Sequence, residues 1–254
     1  MAATHLRRLA RGVLARMGIA PETERPARGL KAVNIAFVDL LKGVMPHEEA
    51  MEIAIGGNFA EIGAVELALV QHYGLPQDGR LVDVGCGSGR LAQPLSAWMT
   101  GSYLGLDLVP DLIAHAARIS ARADWRFEVV DHIGIPDIDS HANMVCFFSV
   151  LTHLQHEQSY WYLEEARRVL KPGGRIVFSF LELCEPVHLQ IFRDTVGLAK
   201  QGATAPMNTF IDRGTIGVWA AELGMGIVDL RGGGDVITAQ GALGQSVCVL
   251  EKAA

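Results

Sequence analysis

Leu81-Val-Asp-Val-Gly-Cys-Gly-Ser-Gly-Arg90 is the stretch whose reading decides the fold. Its first four residues form a short apolar run ending in glycines, the pattern of a buried strand that delivers the chain into a turn. Gly85, Gly87 and Gly89 alternate, so the turn carries no side-chain bulk at three positions, and Gly89 to Met99 reads as the helix that follows. Such a turn lets a ligand lie against bare backbone beside a helix N-terminus. The spacing is G-x-G-x-G, with Arg90 where a dinucleotide fingerprint G-x-G-x-x-G would place its third glycine. Asp83, two residues before the first glycine, would repel a pyrophosphate and attract an ammonium group. The turn, with Cys86 inside it, is therefore expected to receive a zwitterion carrying a cationic sulfonium, and not a diphosphate.

Downstream, strands and helices alternate. Tyr103–Leu106, Arg126–Val130, Met144–Phe148 and Arg175–Leu181 read as strands. Asp111–Arg122 and Tyr160–Leu170 read as helices, and Lys171-Pro-Gly-Gly as a turn into the fifth strand. Alternation at this spacing means a mostly parallel sheet covered on both faces. Two last strands, Gly226–Leu230 and Ser246–Leu250, are joined without a helix and predict an antiparallel pair at the sheet edge. The expected fold is α/β: a doubly wound, seven-stranded, mostly parallel sheet with a C-terminal antiparallel pair and a helical N-terminal cap. Three regions follow: a basic amphipathic helix at 1–20, a linker and helical cap at 21–75, and the main domain at 76–254 with an insert at 182–213. The linker is placed at residues 21–31, rich in proline and charge.

Two acids stand where strands end. Asp107 closes the second strand, 22 residues after Gly85, where a carboxylate can accept from both ribose hydroxyls of a nucleoside; the alternative is a helix-capping acid. Asp131 follows the third strand and could accept from an adenine amino group while the His132 N–H meets a ring nitrogen; the alternative is a loop acid without a ligand. Leu108, next to Asp107, belongs to the same predicted wall.

With these features in place, residues 81–181 resemble the class I S-adenosylmethionine (SAM)-dependent methyltransferases. The matching features are Asp-x-Gly-x-Gly-x-Gly, the acid ending strand two, Asp131, Phe-Phe-Ser-Val-Leu-Thr-His-Leu after strand four, and Leu-Lys-Pro-Gly-Gly before strand five. The resemblance implies SAM as cofactor and methyl transfer as activity. It also implies that Phe148 and Ser149 border the methionyl end of SAM, and that the N-terminal helices and residues 182–213 form the acceptor pocket.

Methyl transfer from a sulfonium asks the protein mainly to align the nucleophile and exclude water, and an oxygen acceptor adds the need for a base. His153 is the candidate base, since it lies just past the fourth strand at the sheet's carboxyl edge and titrates near neutrality. His132 and His188 are its rivals, and packing or cofactor contact is the alternative role for His153. Glu182 and Glu185 are too few for a metal centre, and none is expected.

The net charge of −6 argues against a broad nucleic-acid-binding face and favours a small-molecule acceptor: a sugar, a lipid-linked intermediate or a natural product. Cys86, Cys146, Cys184 and Cys248 form no C-x-x-C pair and no disulfide framework, as suits a reducing cytoplasm. Arg7, Arg8, Arg11 and Arg16 lie opposite Leu6, Leu9, Val13 and Met17 on a helical wheel. That segment reads as a frayed or docked amphipathic helix, as a contact with a partner or with the inner face of a membrane, or as an organelle import signal. A non-catalytic SAM-binding regulatory or partner subunit is the alternative to an enzyme, and oligomeric state has no signature.

Overall fold

The computed structural model describes residues 26–202 and 207–254. The basic segment 1–20 lies outside the described residues. Helix α1, Pro26–Val44, begins where a linker was expected. A proline at the first helical position already has its φ set and lacks only an N–H that would find no partner in the helix, so it opens a helix as readily as it ends one. Pro46 then separates α1 from α2, His47–Ala54, and α3 follows at Phe59–His72.

The sheet contains β1 (Arg80–Val84), β2 (Ser102–Asp107), β3 (Arg126–Val129), β4 (Ala142–Phe147), β5 (Leu170–Phe180), β6 (Met225–Arg231) and β7 (Ser246–Lys252). Its order is β3-β2-β1-β4-β5-β7-β6, parallel through β5, with β7 antiparallel to both β5 and β6. The expected antiparallel pair is present at the edge, and β7 lies inside it. The expected turn at Lys171-Pro-Gly-Gly is instead a bulge within β5. Ala142 pairs with Leu170 and Met144 with Arg175, so the four residues loop out of the ladder, with Gly173 at φ +73°.

Helices α4 (Ala92–Trp98), α5 (Pro110–Ser120), α6 (His156–Val169), α7 (Pro186–Lys200) and α8 (Arg213–Glu222) complete the fold. α6 starts earlier than its apolar periodicity indicated, because Gln155 and Gln158 form a reciprocal capping box. Strand alternation divides the core. Val82 and Val84 face a layer built with α6 and α8, whereas Leu81 faces one built with α3 and α4. A third cluster joins Phe37, Leu41 and Met51 of the cap to Val109 and Leu112, so the N-terminal helices dock on the main domain through apolar burial. Among the described residues no single helix is long and apolar enough to cross a bilayer.

Candidate active site at the carboxyl edge of the sheet

Strand order reverses between β1 and β4, which opens a crevice at their carboxyl ends where ligands of open α/β sheets bind. The glycine turn sits there. Gly85, Gly87 and Gly89 have φ of +76°, +54° and +92°, conformations that side chains of L-residues resist. The direction a side chain would take at each is filled by the protein. A Cβ on Gly85 would lie 2.3 Å from Val150 Cγ2, one on Gly87 2.7 Å from Ile55 Cγ2, and one on Gly89 2.8 Å from the Ala116 Cα. The glycines therefore admit the chain itself: the segment after β4, the cap and α5 all close onto the turn. Cys86 is buried, and its Sγ abuts the position a Cβ on Gly105 would take.

Asp107 links the turn to the next strand. Its two carboxylate oxygens accept from the Gly87 N–H at 3.0 Å and the Val109 N–H at 2.9 Å. Burial raises its pKa, and these backbone donors oppose that. A carboxylate has about four acceptor sites, so two backbone bonds leave capacity for a diol at the same group. Its backbone carbonyl accepts from the Val130 N–H at 2.9 Å, which carries Asp131 to the same edge. Asp131 is exposed, and the neighbouring His132 ring holds its carboxyl below the usual range. Leu108 packs against the cap cluster.

Asp83 departs from expectation. It points into the layer under α3, 3% exposed, accepting from the Tyr103 hydroxyl at 2.7 Å and the Cys146 thiol at 3.4 Å. Burial pushes its carboxyl up to about 7, assisted by nearby Glu66. Its carboxylate is therefore engaged by the flanking strands beneath the turn. The reason is strand alternation, which sends residue 83 to the opposite face from Val82 and Val84. Beside it, Arg90 donates to Glu66 at 3.0 Å and to the Ile55 carbonyl at 3.3 Å, tying α3 and the cap to the glycine turn. The sequence signal for this tie is an arginine directly after the glycine turn.

Phe148 is buried and Ser149 holds φ +61°, a strained conformation for serine. The Ser149 N–H donates to Ser179 Oγ at 2.7 Å, and that hydroxyl donates to Gln245 Oε1 at 2.7 Å. Gln245, distant in sequence, was not foreseen. His153 ends a short 3₁₀ turn, and its Nδ1 is 2.9 Å from the Met207 carbonyl. A carbonyl can only accept, so Nδ1 is the donor in this bond. The structure thus brings His153 to the edge that holds Ser149 and the glycine turn.

His188 is not an available base. It is fully buried, accepts from the Glu182 N–H at 3.1 Å through Nδ1, and lies 3.2 Å from the Gly244 carbonyl through Nε2. Glu182 is equally structural. Burial opposes its ionisation, but hydrogen bonds from Arg213, Ser246 and Cys184 outweigh this and hold its carboxyl at about 2. Around them, among the described residues, four apolar side chains are exposed: Leu183, Val187, Phe192 and Met207.

Residues 81–174 match the family model of a methyltransferase domain. A ubiquinone biosynthesis O-methyltransferase of Xanthomonas oryzae pv. oryzae is 28% identical over 106 residues, 40% of this chain and 43% of that protein. A malonyl-[acyl-carrier protein] O-methyltransferase of Hahella chejuensis is 30% identical over 128 residues, 50% of this chain and 44% of that protein. The chain thus spans less than half the length of these curated relatives. Among solved structures, magnesium protoporphyrin IX methyltransferase from Synechocystis PCC 6803 with bound SAM superposes with a TM-score of 0.59. That match has 13% identity and covers 92% of this chain and all of the other. The SAM-dependent methyltransferase SibL gives 0.60 at 20% identity, over 96% of this chain and 73% of its own.

Proposed function

We propose that this chain, whose residues 81–174 match the family model of a methyltransferase domain, transfers a methyl group from SAM to an oxygen or nitrogen of a small-molecule acceptor. The observation that carries the reading is Asp107. Its carboxylate is fixed by two backbone N–H groups at the end of β2, beside the glycine turn, with acceptor capacity left for the vicinal hydroxyls of a nucleoside. Asp131 and the His132 N–H stand next to it for the adenine, and Phe148 and Ser149 border the methionyl end. Bound SAM supplies an electrophilic methyl on a sulfonium. The chain's own residues align the nucleophile and exclude water, which is most of what such a displacement requires. His153 is the base of this reading, with the Met207 carbonyl orienting its ring through Nδ1. The exposed apolar side chains of the insert, Leu183, Val187, Phe192 and Met207, favour an acceptor with an apolar portion, such as a lipid-linked intermediate or natural product.

The test is thermal unfolding with SAM, with S-adenosylhomocysteine and with NADH. A ligand at ~100 times its Kd stabilises by about 2.7 kcal/mol, a rise of roughly 5–10 °C for a chain of this size. A rise with both adenosyl ligands and none with NADH is expected. No rise in folded, cofactor-free protein would refute the reading. The same reading places the enzyme in the cytoplasm, with residues 1–20 as a membrane-surface contact. Co-sedimentation with anionic vesicles that survives deletion of 1–20 would remove that part.

A further inference from the structure

We propose that His47, Glu48 and His115 form a binding site for a divalent first-row transition metal ion of the zinc class, at the joint between the cap and the main domain. The inference is independent of the methyltransferase reading and concerns residues that play no part in it. His47 and Glu48 open α2, while His115 lies on the buried side of α5. One ligand atom from each falls within 4.8 Å of the other two. The two imidazole rings are 5.7 Å apart, centroid to centroid, and His115 Nε2 is 3.8 Å from a Glu48 carboxylate oxygen. Ligands of a tetrahedral zinc ion at ~2.0–2.1 Å from the metal sit roughly 3.3 Å apart. The atoms must therefore close by up to about 1.5 Å, a movement open to His47 and Glu48 because both are exposed on the solvent side. Two imidazoles and one carboxylate suit zinc, with water completing the shell, and do not suit magnesium or calcium, which take oxygen donors.

Arg118 ties Glu48 to His115. Its Nη2 donates to both Glu48 oxygens, at 2.7 and 2.8 Å, and lies 3.1 Å from His115 Nδ1. A cation beside an imidazole and a carboxylate is the charge arrangement a metal ion would take over. Ligation through Nε2 puts the ring proton of His115 on Nδ1, so Arg118 must withdraw as Glu48 turns to the ion. At 54% side-chain exposure it can do so into water. Arg118 is thus a built-in competitor, and this makes a signed prediction: removing it strengthens metal binding.

The position gives the site a consequence. α2 also carries Met51, whose carbonyl accepts from Ser88 Oγ at 2.9 Å in the glycine turn. An ion joining α2 to α5 would therefore fasten the cap where it closes over that turn.

The experiment is calorimetric titration of the full chain, untagged and dialysed against chelator, with Zn2+ and with Mg2+. The expected result is one Zn2+ per chain and no response to Mg2+. Affinity should fall at least about tenfold in His47→Ala, a loss no smaller than that typical of an outer-shell partner. His47 is exposed, so this variant keeps the fold, and the exposed His72→Ala serves as a control that binds normally. Arg118→Gln should bind more tightly than wild type. Absence of stoichiometric Zn2+ binding, or equal binding by wild type and His47→Ala, would overturn the assignment.

Discussion

Replacing Gly85 by alanine probes how the chain closes onto its own glycine turn. Gly85 stands at φ +76°, where an L-residue costs about 1–2 kcal/mol. The new Cβ would also come 2.3 Å from Val150 Cγ2, which must shift at a cost of about 1–3 kcal/mol. The sum, roughly 3 kcal/mol, lowers the melting temperature by about 6–12 °C for a chain of this length. The two contributions separate in a double-mutant cycle. Val150→Ala removes the clashing methyl and, at a half-buried position, costs about 1 kcal/mol by itself. If the clash is real, Gly85→Ala combined with Val150→Ala unfolds with a loss of about 2–3 kcal/mol, below the roughly 4 kcal/mol that independent effects would give. Chemical denaturation of the four proteins without ligand measures this directly. Additivity within about 0.5 kcal/mol would refute the contact between the segment after β4 and the turn.

Three further outcomes are expected. Asp83, raised in the folded state to about 7, favours its uncharged form, so its contribution is full below pH ~4 and is lost as pH rises through 7. Asp83→Asn should flatten that slope, worth about 4 kcal/mol at most, in stability measured from pH 4 to 8. Glu182, held at about 2, has the opposite sign, stabilising above pH ~4.5 and losing this as pH falls towards 2. Arg213→Ala should cost about 2–3 kcal/mol at neutral pH, less than a fully buried pair because Arg213 is 43% exposed, and should reduce the acid slope. His153→Ala should lower turnover about 100-fold with SAM affinity unchanged by titration, and unchanged turnover would remove it from the mechanism.

The features legible in advance were those set by neighbours in the chain. Alternating glycines after an apolar run demand positive φ within a few residues, and all three adopt it. Hydrophobic periodicity located every strand, and the acid ending β2 was readable because strand length places it at the sheet's carboxyl edge. Pro26 was misread for an equally local reason, since proline opens helices as well as ending them. What tertiary structure alone decided depends on residues brought together from far apart. The enclosure of Asp83 by Tyr103 and Cys146 joins three strands that are far apart in the chain. His188 looked like a base until the main chain at Glu182 and Gly244 took both ring nitrogens. The place of β7 inside its pair, the Gln245–Ser179 support under Ser149, and the meeting of His47 and Glu48 with His115 have the same origin. Backbone conformation follows from a few adjacent residues, whereas the surroundings of a side chain follow from which distant segments the core packs against it.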